Sequence, residues 1–518
     1  MGLMNDIFRR YILSKMKNID GFMKHPEAVQ DRVLKNLILR AQSTEWGKTH
    51  SFKSIKTYDD FRRLVPIQDY NSMKPFIERT MLGEQNVLWS GDIRWFAKSS
   101  GTTDDKSKFI PVSRESLYGC HYKAGKDMYC LYYNMNPKAN LAGGKTLVLG
   151  GSHQMNKMNR RANYGDLSAV LIQNAPLWAE LKRVPSLAIT LMDNWEEKVE
   201  KMANATINHR VTNILGVPTW TVVLIKYLFE MTGKDDLSEI WPSLELYIHG
   251  GVSFTPYEEL FRKLIRGSNM HYMESYNASE GFFGMQDQMN SKDLLLMLDY
   301  GIFYEFIPAG QKDNPDAEAI PLQAVELDKD YAVVISSNSG LWRYFIGDTV
   351  KFYSKDPYRI RVSGRTKHYI NAFGEEVIIE NAEKALALAS LSTDCIVSDF
   401  TAAPVYFSSG SNGAHEWLIE FDKAPADLTY FIQLLDQNLK NLNSDYEAKR
   451  HKDIALRMPI VRMLKKGTFY NWMKKRGKLG GQNKVPRLFN TRQFVDDIIK
   501  FVNEQGNLSR GDLGTSVD

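Results

Sequence analysis

Cysteine is scarce. The 518 residues hold three, Cys120, Cys130 and Cys395, and their spacing suits neither a disulfide framework nor a zinc site. A reducing compartment is therefore expected, and the cytoplasm is the localisation predicted. None of the ten histidines stands in HExxH or another metal-ligand spacing, so no structural transition metal is expected. No run approaches the roughly twenty apolar residues of a membrane span, and the opening "MGLMNDIFRRYILSKMKN" is too charged for a signal peptide. Gly2 does not begin a myristoylation signal, because Asp6 stands where Ser or Thr is needed. An excess of one charge is missing too. With 66 basic against 61 acidic residues the net charge is only +5, and neither a nucleic-acid nor a membrane partner is predicted. The densest basic run, "LKKGTFYNWMKKRGKLGG" (464–481), reads as a solvated face or as contacts to an anionic substrate. GxxxxGK[ST] and GxGxxG are both absent, which excludes a P-loop NTPase.

What is present describes a large globular protein. Hydrophobic residues make up 43% and aromatics 12%, and the length calls for two or more domains. Residues 5–42 carry helical periodicity, and 56–81 carry it with proline breaks. A short strand or two then feeds a polar loop, and 113–133 reads as helix with Ser113 as N-cap. Strands alternate with helices through "KTLVLGG" (145–151), residues 207–233 and residues 243–265, while 269–286 reads as a strand followed by a loop. That alternation predicts an α/β domain with a substantially parallel sheet. Aromatic and β-branched stretches across 300–377 predict a strand-rich meander. Beyond it lies a smaller α+β unit whose clearest strand is "NGAHEWLIEFD" (412–422). The expected division is 1–363 and 364–518.

Four segments carry chemistry. "WFAKSSGTTDDKSKFIPVS" (95–113) gathers hydroxyls, a glycine and lysines. Such a loop offers backbone N–H and side-chain O–H donors to a phosphate, and Lys106 and Lys108 add charge; a plain surface loop also accounts for it taken alone. "ESYNASEGFFG" (274–284) sets an aromatic, an amide, a hydroxyl and Glu280 just after a strand. A carboxylate there could hold Mg²⁺, which takes hard oxygen ligands and bridges phosphates, or could simply be solvated. "LWRYFIGDTVKF" (341–352) puts Asp348 after a strand and a glycine, placed to accept two ribose hydroxyls or to form a β-turn. "GRTKHYINAFGEEV" (364–377) carries Arg365 and Lys367 and ends in an acidic pair; an ordinary basic turn before a helix start also fits.

In this order the four segments resemble the GH3 auxin-responsive family of acyl acid amido synthetases, which belongs to the adenylate-forming superfamily. "FRRLVPIQDY", "HGGVSFTPY", "LNSDYEAKR" and "NKVPRLF" extend the likeness from end to end. The resemblance implies a large N-terminal adenylate-forming domain with mixed or parallel sheets and a small, mobile C-terminal domain. It implies that ATP and Mg²⁺ are used to adenylate a small carboxylic acid, and that an amine, as of an amino acid, then takes the acyl group. Ser99, Ser100, Gly101, Thr102, Thr103 and Lys108 would cradle the phosphates, and Glu280 would hold Mg²⁺. Tyr276, with Asn277 and Ser279, would meet the adenine, Asp348 the ribose, and Arg365 would lie beside the nucleotide. Lys484, after two glycines, would act in adenylation, and Lys367 would be the hinge. One departure is Asp104–Asp105, where the family loop continues with glycine. It suggests a bacterial branch and keeps open a non-catalytic binding protein on the same scaffold. An acyl-CoA ligase with a thiol acceptor is the other alternative.

The acid pocket is expected between the phosphate loop and the "YNASEG" strand. Tyr118, Tyr122, Trp220, Val223, His249 and Gly250 are its candidate lining, although Trp220 and Val223 equally suit core packing on an amphipathic helix.

Overall fold

The computed structural model describes residues 3–100, 107–150, 156–159, 161–192, 194–267, 269–311, 317–365, 369–407, 411–476, 485 and 487–504. It divides into two compact units. One comprises Met1–Ser99, Lys108–Phe254 and Arg262–Thr366, the other Ser100–Ser107, Thr255–Phe261 and Lys367–Asp518. Among the described residues no helix is long and apolar enough to cross a membrane.

In the first unit the N-terminal helical periodicity is cut into Leu3–Leu13, Met16–Lys24 and Pro26–Ala41. His25 is forced out of helical geometry by Pro26 and sits at φ −133°, ψ 55°. Tyr58–Leu64 and Tyr70–Met81 both begin in capping boxes, Thr57 with Asp60 and Asp69 with Ser72. Pro66 falls in the gap between them, where the preceding Val65 is extended.

One sheet organises this unit. Arg183–Val184, Lys145–Val148, Val211–Leu215, Leu246–Gly250 and His271–Ala278 lie side by side and parallel, in that order. The helix Pro218–Thr232 connects two of them, with proline in its first turn and Gly233 at φ +69° closing it. From His271–Ala278 outward the sheet becomes antiparallel. It runs through Gly281–Met285, Leu294–Leu296, Tyr358–Arg365, Tyr344–Lys355, Asp330–Ser337, Ile302–Pro308 and Ile320–Pro321. Parallel strands must be joined by crossovers and antiparallel ones need only turns. The change of texture near residue 270 of the sequence is the change from one regime to the other.

Two sequence expectations are corrected. Residues 269–286 are not a strand and a loop but a hairpin, turning at Ser279 and Glu280. The glycines that suggest a loop serve packing instead: a Cβ on Gly281 would lie 2.6 Å from Ile302 Cδ1. Asp348 does not follow a strand; it lies inside Tyr344–Lys355. Gly347, at φ +90°, occupies a bulge there. The neighbouring strand pairs Ala332 with Thr349 and Val334 with Phe345, so Ile346, Gly347 and Asp348 oppose Val333 alone.

The second unit has its own three-stranded sheet. Ile396–Val405 pairs antiparallel with Ala414–Lys423, which pairs parallel with Ile460–Leu464. Leu418, Phe469, Trp472, Val495, Ile498 and Phe501 form a core between that sheet and the helices Thr468–Lys475 and Gln493–Glu504. The "FGEEV" segment is fixed from within. Buried Glu375 accepts from the backbone N–H groups of Ala372 and Phe373, and it meets His415 Nε2 at 2.7 Å.

Candidate active site

The strand His271–Ala278 outruns its parallel neighbour, whose last register pair joins Gly250 to Ser275. Tyr276, Asn277 and Ala278 therefore stand past the carboxyl edge of the parallel half, where open α/β sheets receive ligands. Gly250 is glycine for a steric reason. A Cβ there would lie 2.5 Å from Ser275 O and 3.3 Å from Asn277 Oδ1. The Ser275 hydroxyl donates to His249 O at 3.0 Å, and Gly251, at φ +80°, turns the chain away.

Tyr276 reaches across the sheet. Its hydroxyl donates to Asp348 Oδ2 at 2.7 Å, and each residue is only 8% exposed. The Tyr276 ring is braced by Phe283, 4.9 Å away between centroids. The bulge at Gly347 adds two residues to the strand just before Asp348, and bulges of this kind re-aim side chains. Two motifs about seventy residues apart in sequence are thus joined by one bond. Asp348 also stands in register with Arg365 of the next strand, of which the backbone is described. Glu280 is half-buried at the hairpin turn. A single carboxylate on a turn is a fitting donor for Mg²⁺, which keeps water and substrate phosphates as its other ligands.

His249 lies on the strand beside Tyr276. It is buried, its ring stacks on Phe254 at 3.9 Å, and its Nδ1 has no hydrogen-bond partner among the described residues. Burial pushes its pKa down to about 3, so the ring is neutral near pH 7. Trp220 is buried in the Pro218–Thr232 helix and Val223 is half-buried. Thr221, next to Trp220, meets the Tyr247 hydroxyl at 3.1 Å and so ties this helix to the His249 strand.

The remaining candidates are placed differently. Tyr118 and Tyr122 pack edge to face at 5.4 Å, but Tyr118 is 54% exposed and the Tyr122 hydroxyl donates to Leu171 O. Ser99 ends the described side chains of its strand. Lys108 Nζ sits 5.6 Å over the Tyr70 ring, whose hydroxyl accepts from Phe109 N. Ser279 occupies the hairpin turn with Glu280. Gly101, Thr102, Thr103, Lys367 and Lys484 lie outside the described residues, and Ser100 is described by backbone only.

Some contributors escape sequence reasoning. Cys120, buried on the helical stretch after the loop, accepts the N–H of Phe282 at 3.2 Å and so ties that stretch to the hairpin. Burial raises its thiol pKa to about 12, which leaves it unreactive. Phe254 and Ser275 fall inside the quoted "HGGVSFTPY" and "ESYNASEGFFG" segments, but as common residue types neither is singled out there. Gly347 did carry a signal, since an isolated glycine in a strand pattern marks a bulge.

Residues 15–270, 295–365 and 380–493 match the N-terminal, central and C-terminal domain models of the GH3 family. The chain belongs to the GH3 family. Among its GH3 relatives, an indole-3-acetic acid-amido synthetase, GH3.3 of Arabidopsis thaliana, is 22% identical over 548 residues, 91% of each chain. The jasmonoyl–L-amino acid synthetase JAR6 of Nicotiana attenuata is 23% identical over 552 residues, covering 91% of this chain and 92% of that one. The fold matches the GH3.15 acyl acid amido synthetase in complex with 2,4-DB, with a TM-score of 0.62, 17% identity, and 95% and 96% of the two chains covered. It also matches a 2-hydroxyisobutyryl-CoA ligase in complex with 2-HIB-AMP and CoA, with a TM-score of 0.56, 12% identity, and 94% and 93% covered.

Proposed function

We propose that this GH3 protein is an ATP-dependent acyl acid amido synthetase that joins a small carboxylic acid to the amine of an amino acid. A carboxylate cannot acylate an amine directly, because oxide is a poor leaving group. In the first step the acid's oxygen attacks the α-phosphorus of ATP; a C–O–P linkage forms and pyrophosphate departs. In the second, the amine nitrogen attacks the acyl carbon, AMP leaves and the nitrogen loses a proton. Both steps depend chiefly on positioning and charge neutralisation.

The observation that carries this reading is the Tyr276–Asp348 bond at the edge of the parallel strands. It sets a carboxylate able to accept hydroxyl groups beside an aromatic ring, the pairing a ribose and a purine require. In this reading Asp348 takes the ribose, Tyr276, Asn277 and Ser279 flank the adenine, and Arg365 supports the nucleotide from the adjoining strand. Glu280 holds Mg²⁺, which when bound neutralises phosphate charge. Ser99, Ser100, Gly101, Thr102, Thr103 and Lys108 cradle the phosphates. Lys484 stabilises charge during adenylation, with Lys367 as hinge between residues 1–363 and 364–518. Neutral His249, with Gly250, Trp220 and Val223, forms the wall of the acid site, and Tyr118 and Tyr122 stand at its mouth. A bacterial placement within the family rests on Asp104–Asp105 alone.

Pyrophosphate–ATP exchange with pooled aryl, indolyl, short-chain and fatty acids tests the first step. Acid-dependent exchange is expected. A folded protein that binds ATP yet exchanges with no acid would favour a binding protein on the scaffold.

A further inference from the structure

The first unit contains a cleft of about 470 Å³ that none of the residues ascribed to adenylation lines. One wall is the helix Pro26–Ala41, which contributes Arg32, Val33, Leu37 and Arg40; Trp89, Asn338 and Asp299 face it from elsewhere in the unit.

The charges do not cancel evenly. Arg40 pairs with Glu115 at 3.4 Å, and Asp299 pairs with Lys123. Arg32 has no ion-pair partner among the described residues. One neutral donor is also left wanting. Asn338, 8% exposed, has its Nδ2 held by one long contact of 3.4 Å to Tyr300 O. Gly119 leaves that amide uncovered, since a Cβ there would lie against it at 3.7 Å.

We propose that this cleft binds a small monoanionic carboxylic acid with an apolar ring or chain. Its carboxylate meets Arg32 and the Asn338 amide, and its apolar body lies on Val33 and Leu37. One unpaired guanidinium matches one negative charge. The carboxylates of Asp299 and Glu115, which also line the cleft, oppose a dianion such as phosphate. The volume lies within the range of ordinary small-molecule sites. The proposal is independent of the adenylation reading.

The test is a ¹⁹F NMR titration of the full chain with 4-(trifluoromethyl)benzoate, its neutral amide, and inorganic phosphate as competitor. A saturable benzoate site is expected that Arg32→Gln weakens about tenfold or more, as loss of a charge-assisted bond requires. Gly119→Leu, which fills the cleft, should abolish the site, while the amide and phosphate fail to occupy it. Arg32 is exposed, so its variant should fold, and it should keep wild-type exchange activity. Absence of any saturable site, equal affinity in both variants and wild type, or equal affinity for the amide would each overturn the proposal.

Discussion

Replacing Tyr276 with Phe keeps the ring against Phe283 and deletes the 2.7 Å contact to Asp348. Both residues are 8% exposed, so bulk water has little access with which to replace the phenol. A hydrogen bond to a charged acceptor contributes about 1.5–3 kcal/mol, and about 1.4 kcal/mol is a factor of ten in affinity. If Asp348 takes the ribose hydroxyls, its carboxylate must be held in place, and Tyr276→Phe should raise the KM for ATP roughly ten- to a hundredfold. Asp348→Asn should raise it as much or more. The double variant should be no worse than the poorer single one, because both changes break the same link. The assay is pyrophosphate exchange at varied ATP, with urea unfolding of each protein to confirm that the fold survives. Effects of the two changes that add within about 0.5 kcal/mol would refute the coupling, and an unchanged KM in Tyr276→Phe would remove the phenol from the nucleotide site.

Acid should destabilise the protein in a way that can be apportioned. Burial holds His121 near 4 and His249 near 3, both below the ordinary 6.5. Between pH 6.5 and about 4 the unfolded chain therefore binds two protons that the folded one refuses, and stability falls as pH falls. Asp127 opposes this: burial raises it to about 6, so from pH 6 down towards its ordinary range the folded state holds a proton the unfolded chain lacks. The net difference from these groups is one proton, about 1.4 kcal/mol per pH unit. Asp127→Asn should roughly double the slope of urea stability between pH 6 and 4.5, and an unchanged slope would contradict the assignment. Gly250→Ala drives a Cβ to 2.5 Å from Ser275 O; it should cost about 1–3 kcal/mol and abolish exchange, whereas wild-type exchange would show that the strand edge is tolerant. Lys484→Ala should lower exchange about a hundredfold or more with an unchanged melting temperature, and normal exchange would remove its role.

Much of the candidate site was legible because its parts are local motifs. The "YNASEG" and "WRYFIGD" text names Tyr276, Glu280 and Asp348 without any coordinates. The strands Val211–Leu215 and Leu246–Gly250 were legible for a similar reason, since each is a short apolar run followed by a glycine turn and a helix. What was not legible is where segments far apart in sequence meet. No pattern in the chain says that the Tyr276 hydroxyl finds Asp348, or that Cys120 accepts from Phe282. The hairpin was not legible, because Gly281 and Gly284 have the composition of a loop, although close approach of Ile302 and Leu294 is what requires them. Tyr118 is a candidate for the pocket lining on aromatic type alone, and its position on the helix leaves it 54% exposed.

The most direct test of the account is product mass from one reaction. The protein, ATP, Mg²⁺ and an acid that supports exchange are combined with mixed amino acids and coenzyme A together. The account predicts an acid–amino acid amide with AMP and pyrophosphate released in equal amounts. A thioester with no amide would contradict it and place this chain's chemistry with the CoA ligases whose fold it shares.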